Sequence, residues 1–165
     1  MAKQKRSWHS NAVVTGAGSG IGRAFALELA ARKGRVVCSD ILLERAEETA
    51  EMIRKQGGEA LALQVDVSKI TAVEALAKQA EEWLGAPVDL VVNNAGVGAG
   101  GKQVGDIPLA DWKWVMGVNL WGVIHGCHVF APRLRAAGRG GIVNVCSTAS
   151  FAAAPRMGPY NVSKA

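Results

Sequence analysis

The run Thr15-Gly16-Ala17-Gly18-Ser19-Gly20-Ile21-Gly22 constrains this chain most, because it joins a β-branched stretch, Ala12 to Thr15, directly to a helix-patterned segment, Ile21 to Arg32. A strand that turns sharply into a helix leaves the first helical N–H groups unpaired and aimed at one point, at the positive end of the helix dipole. That arrangement attracts a pyrophosphate. Gly16, Gly18 and Gly20 suit turn conformations that a Cβ would obstruct, and Gly22 lets the helix pack closely. Asp40 closes the second β-rich run, Arg35 to Ser39, eighteen residues beyond Gly22. A dinucleotide-binding βαβ unit places an acid there, on the adenosine ribose.

The remaining chain repeats the alternation. Gly34 is expected as the C-cap of a helix whose inner face is Ile21, Ala24, Phe25 and Leu29. A second helix carries Ala46, Thr49, Ala50 and Ile53 and ends at Gly57-Gly58; a third strand covers Ala60 to Asp66. Thr71 and Glu74 have the spacing of a capping box, ahead of a helix face of Val73, Leu76, Ala77, Ala80 and Leu84. Val88 to Val92 is an apolar fourth strand running into Asn93-Asn94-Ala95-Gly96 and a glycine-rich loop. One long helical region is expected from Asp111 to about Ala137, and a fifth strand from Gly141 to Cys146. Strands alternating with helices imply an α/β fold, a Rossmann-type doubly wound parallel sheet, truncated after the fifth strand. Its ligand belongs at the carboxyl ends of the strands. Residues 1–10 read as a flexible basic tail and residues 11–165 as one domain.

The net charge of +5 draws three cations from Lys3, Lys5 and Arg6, and the other basic residues are scattered without interleaved aromatics, so no nucleic-acid partner is expected. No apolar run has the length of a membrane span, and Ser7-Trp8-His9-Ser10 is no signal core; the expectation is a cytoplasmic protein. Cys38, Cys127 and Cys146 lie in apolar segments and read as buried reduced thiols. His125 and His128 flank Cys127 without a further ligand cluster and read as structural, with no metal. Trp112, Trp114 and Trp121 read as helix-packing residues.

After the fifth strand come Ser147-Thr148-Ala149-Ser150 and then Tyr160-Asn161-Val162-Ser163-Lys164. If Tyr160 opens a helix, Lys164 is one turn on and shares its face. A phenol ordinarily gives up its proton only near pH 10, and an ammonium about 4 Å away at an effective dielectric near 20 favours phenolate by up to roughly 4 kcal/mol. Such a pair can exchange a proton with an alcohol or carbonyl near neutrality.

Taken together, these segments resemble the short-chain dehydrogenase/reductase family in its main single-domain branch. The resemblance is carried by TGAGSGIG at 15–22, Asp40, Asp66-Val67, NNAG at 93–96, Asn119 in VNLWG, Ser147 in IVNVCS and YNVSK at 160–164, and it spans the chain from Ala12 onward. It implies that Tyr160 is the catalytic acid/base, that Ser147 hydrogen-bonds the substrate oxygen, that Lys164 binds the nicotinamide ribose and supports Tyr160, and that Asn119 holds a water in the proton relay. It further implies that Gly16, Gly18, Ser19, Gly20, Ile21, Gly22, Asp40, Asp66, Val67, Asn93, Ala95, Gly96, Tyr160 and Lys164 hold the cofactor. The substrate would be a small alcohol or carbonyl compound, and the assembly a homodimer or homotetramer. NAD is favoured over NADP, because the Asp40 carboxylate repels a 2′-phosphate, Ser19 is neutral, and Ile41 and Leu42 bring no cation. Family members continue beyond the Tyr160 helix, so the resemblance implies a fragment of a longer reading frame and, as the alternative function, a dinucleotide-binding module without turnover.

Overall fold

Residues 8–165 are described by the structure, a computed structural model. The elements run β1 (Asn11–Thr15), α1 (Gly20–Ala31), β2 (Arg35–Asp40), α2 (Leu43–Lys55), β3 (Glu59–Gln64), α3 (Ile70–Leu84), β4 (Leu90–Asn93), α4 (Leu109–Met116), α5 (Gly122–Ala136), β5 (Gly141–Asn144) and α6 (Gly158–Lys164). The strands form one parallel sheet in the order β3-β2-β1-β4-β5. The chain winds outward from β1 in one direction to β3 and then crosses back to β4, so the topological switch lies between β1 and β4.

Two apolar layers cover the sheet. Val13, Val37 and Val91 point into the layer formed with α3 and α5, through Val73, Leu76, Ala80 and Phe130. Val14, Val36 and Cys38, one residue out of phase, point into the layer formed with α1 and α2, through Ala26, Leu29, Ala50 and Ile53. A strand alternates faces with period two, so near-continuous burial of β1, β2 and β4 is what two covered faces require. The faces expected for α2 and α3 are the buried ones. On α1 the buried residues are Gly22, Ala26 and Leu29, with Phe25 packed against them; Ala24 is exposed, and Ile21 is 62% exposed because it faces the cleft at the carboxyl ends of the strands rather than the core.

Several local expectations need correction. Helix α3 starts at Ile70 with Lys69 as its N-cap and no side-chain cap, so Thr71 and Glu74 form no capping box. Asp66 shapes the entry instead, accepting from the N–H and hydroxyl of Ser68. After α1 the left-handed residue is Lys33, at φ 64°, and not Gly34, whose hydrogen is needed because a Cβ there would meet the Leu29 and Ser10 carbonyls. The long helix is interrupted at Gly117–Trp121 by a π-helical turn, which separates α4 from α5. Among the cysteines only Cys38 is buried; Cys127 is half-buried and Cys146 is exposed, since β5 ends at Asn144 on the sheet edge. Trp112 packs toward Gly158, but Trp114 and Trp121 are about half exposed. Of the expected tail, residues 1–7 lie outside the described residues, while His9 donates to the Arg32 carbonyl and Ser10 accepts from the Arg35 amide.

Among the described residues no helix is long and apolar enough to cross a membrane.

Candidate active site

The sheet brings the glycine run, the ends of β2 and β4, and α6 around one cleft of about 590 Å³ at the carboxyl ends of the strands. Its floor is the loop between β1 and α1. Gly16 takes φ 63°, and a Cβ on it would lie 2.8 Å from Ala95 Cα. A Cβ on Gly22 would overlap the Gly16 carbonyl oxygen and crowd Asn94 Nδ2, so this glycine lets α1 pack against the loop itself. Ser19, Gly20, Ile21 and Gly22 line the cleft, and the first intrahelical bond is Arg23 N–H to Ser19 O. The N–H groups ahead of Arg23 therefore have no intrahelical acceptor and are available to an anion.

Asp40 stands at one end of the cleft and is half-buried. Its Oδ2 accepts from Gly18 N–H at 3.0 Å and its Oδ1 from Leu42 N–H at 3.1 Å. Gly18 itself does not line the cleft: it is buried beneath Asp40 and Arg45, where a Cβ would lie 2.6 Å from Arg45 Cβ and 2.7 Å from Asp40 Oδ2. Arg45 was not among the expected site residues. Leu42 is the N-cap of α2, so Arg45 falls in the first helical turn and comes round to the cleft. The relevant signal was the helix start after Asp40, rather than the identity of the two next residues.

Asp66, Val67, Ala95 and Gly96 line the middle of the cleft. Asn94, within the NNAG run, also lines the cleft and fixes the loop to β4: its Nδ2 donates to the carbonyls of Thr15 (2.9 Å) and Gly16 (3.2 Å), and its N–H donates to Thr15 Oγ1 at 3.0 Å. Asn93 lies outside the lining. Its Nδ2 donates to Asn144 Oδ1 at 2.8 Å, bracing β4 against β5.

At the other end, Tyr160 and Lys164 both line the cleft from α6. Lys164 Nζ donates to the Val145 carbonyl at 3.0 Å. Asn119, 2% exposed in the π-helical turn, does not line the cleft. Its Oδ1 accepts from Val97 N–H at 2.8 Å, and its Nδ2 donates to Val97 O and Ser163 Oγ, both at 2.9 Å. Ser163 donates in turn to the Tyr160 carbonyl at 2.8 Å, so Asn119 reaches the Tyr160 backbone through one hydroxyl. Ser147 also stays outside the lining; it N-caps the short turn Thr148–Ser150, its Oγ accepting from Ala149 N–H at 3.2 Å. Trp114, Val118 and Cys146 are among the other residues of the walls. His125 Nδ1 lies 2.9 Å from the Val67 carbonyl oxygen, and among the described residues no group of three or more His, Cys, Asp or Glu side chains is arranged to hold a metal ion.

A family model described as short chain dehydrogenase matches residues 10–165. The chain is 45% identical over 153 residues to the probable oxidoreductase EphD of Mycobacterium tuberculosis strain H37Rv, covering 92% of this chain and 26% of that protein. It is 36% identical over 154 residues to the 7alpha-hydroxysteroid dehydrogenase of Escherichia coli K12, covering 93% of this chain and 59% of that enzyme. A crystal structure of a short chain dehydrogenase/reductase from Burkholderia phymatum in complex with NAD superposes with a TM-score of 0.93 at 42% identity, covering 98% of this chain and 57% of that one.

Proposed function

The chain belongs to the short-chain dehydrogenase family, and from that premise we propose that the protein interconverts a secondary alcohol and a ketone, with NAD as the hydride carrier and Tyr160 as the acid/base. The observation that carries this reading is that Tyr160 and Lys164 open into the same cleft as the glycine loop and Asp40.

The residues present fit a dinucleotide. Free amides at the start of α1 suit the pyrophosphate, the absence of a Cβ at Gly16 and Gly22 keeps that loop closed against Asn94 and Ala95, and the Asp40 carboxylate at the end of β2 would accept from the adenosine ribose hydroxyls. Asp66 and Val67 would flank the adenine, and Gly96 and Lys164 the nicotinamide ribose. A bound nicotinamide supplies the hydride chemistry.

The protein's own residues handle the proton. Tyr160 would exchange it with the substrate oxygen, and Lys164, one helical turn on and in the same cleft, would bring its ammonium to the reacting end. Ser147 already accepts from Ala149 N–H, which leaves its hydroxyl hydrogen to donate to the substrate oxygen. Asn119 would act from behind, through Ser163 and the Tyr160 carbonyl.

Asp40 favours NAD over NADP by placing a carboxylate where a 2′-phosphate would lie. For the assembly we propose a homodimer or homotetramer, for which Trp121 and Ile124 and, on α6, Val162 supply exposed apolar area.

The second reading, a dinucleotide-binding module without turnover, draws on Ser147 and Asn119 standing outside the cleft lining. One experiment separates the two. The full-length protein is incubated with NAD and a panel of secondary alcohols, and absorbance at the NADH band is followed. Turnover that disappears in Tyr160→Phe supports the enzyme; NADH binding with no turnover on any alcohol or ketone supports the module.

A further inference from the structure

The peptide of Gly18 is gripped from both sides. Its N–H donates to Asp40 Oδ2 at 3.0 Å, and its carbonyl oxygen accepts from Arg23 Nη2. Arg23 reaches that position from the first turn of α1, where its Nε donates to Thr49 Oγ1 at 3.0 Å and its Nη2 pairs with Glu48 at 2.9 Å. Thr49, fully buried on α2, donates its hydroxyl hydrogen to the carbonyl of Ala17 at 2.8 Å. Two neighbouring carbonyls of the glycine loop are thus drawn toward α2 by one guanidinium and one hydroxyl.

This matters because a glycine loop has little intrinsic reason to keep one peptide orientation. A peptide flip at 17–18 or 18–19 would turn a carbonyl dipole toward the anion that the amides of Ser19 to Gly22 would otherwise meet. We infer that Arg23 and Thr49 are positioning residues for the dinucleotide pyrophosphate, holding the Ala17 and Gly18 carbonyls out of the cleft so that the loop offers it only N–H groups. The inference rests on the reading of the cleft as a dinucleotide site. It also links the two ends of that site, since Asp40 grips the same peptide on its other side.

The test uses the full-length protein with Thr49→Val, which keeps shape and removes the hydroxyl, Thr49→Ser, which restores it, and Arg23→Gln at a partly exposed position. NADH affinity is measured by calorimetry, thermal unfolding without ligand is recorded beside it, and where turnover is present KM for NAD is separated from kcat. The expected result is an NADH affinity about tenfold weaker in Thr49→Val and in Arg23→Gln, KM for NAD raised with kcat nearly unchanged, and Thr49→Ser within about twofold of the unsubstituted protein. If Thr49→Val does not fold, Arg23→Gln carries the comparison alone. The inference is overturned if the folded variants bind NADH as the unsubstituted protein does, or if Thr49→Ser is as weak as Thr49→Val. Failure of the unsubstituted protein to bind NADH overturns the dinucleotide reading and the inference with it; normal binding by every variant overturns the inference alone.

Discussion

Lys164 Nζ lies 3.0 Å from the carbonyl oxygen of Val145, so the ammonium expected to support Tyr160 is tethered to the chain just beyond the end of β5. The tether crosses from helix to sheet, and Ser150 reinforces it by donating to the Lys164 carbonyl. In the full-length protein, Lys164→Met removes both the charge and the bond. The expected outcome is a fall in kcat of at least about a hundredfold, the usual size for loss of proton-transfer support, with Tyr160→Phe at least as severe. Steady-state kinetics at saturating NAD, on protein whose circular dichroism matches the unsubstituted form, checks it. A Lys164→Met enzyme within tenfold of normal would remove Lys164 from the proposed chemistry.

The strand-loop-helix logic of this site was legible in the sequence because it depends on local chemistry. Gly16 and Gly22 are required by contacts with their own immediate loop and with Asn94, and Asp40 by its place at a strand end. What was not legible depends on how helices rotate against one another. Arg45 enters the cleft because α2 begins after Leu42, and Ile21, in the first turn of α1, faces the cleft instead of the core. The π-helical turn at 117–121 has no signature in apolar spacing either. Within it Asn119 is buried and donates to the Val97 carbonyl and Ser163 Oγ, contacts with segments distant in the chain.

Asp40 and Arg45 bring opposite charges to one end of the cleft, the end proposed for the adenosine. Asp40→Ala should weaken NADH binding by about tenfold or more, because it removes a charged acceptor for ribose hydroxyls and releases the Gly18 and Leu42 amides. With the carboxylate gone, Arg45 is left as a cation lining the cleft, so NADPH binding should strengthen relative to NADH. The double variant Asp40→Ala with Arg45→Ala should lose that gain. Paired titrations with NADH and NADPH at one moderate salt concentration decide it, and an unchanged NADH to NADPH ratio in Asp40→Ala would count against the cofactor assignment.

Two glycines separate crowding from backbone strain. A Cβ on Gly22 would overlap the Gly16 carbonyl and crowd Asn94, so Gly22→Ala must displace the loop from β4. It should both destabilise the fold and abolish NADH binding. Gly57 sits after α2 at φ 79° with nothing within 4 Å of the same position. Gly57→Ala should cost about 1 kcal/mol of stability through its left-handed backbone alone and leave NADH affinity unchanged. Urea unfolding and NADH titration of the two variants side by side would show the difference, and equal effects on binding would contradict the packing described.

The thiols divide by burial. Cys38, fully buried on β2, is pushed up to about 12 from an ordinary value of 9.0, first by desolvation, with Arg54 opposing and Glu47 adding to the rise. Cys146 is exposed. In native protein at pH 8 a thiol reagent should therefore label Cys146 readily and leave Cys38 untouched until the chain unfolds. The same shift has a consequence for stability. Because the folded state holds this proton more tightly than the unfolded chain, the contribution is intact below pH 9. It declines as pH rises from about 9 toward 12, by about 1.4 kcal/mol per unit and to a limit of about 4 kcal/mol. Cys38→Ala deletes the titrating group, so its stability should lack this alkaline decline while retaining that of every other residue. Urea unfolding of both proteins from pH 7 to pH 10 measures the difference directly. Parallel curves across that range would mean that the Cys38 thiol ionises as easily inside the sheet as outside it, against the burial seen here.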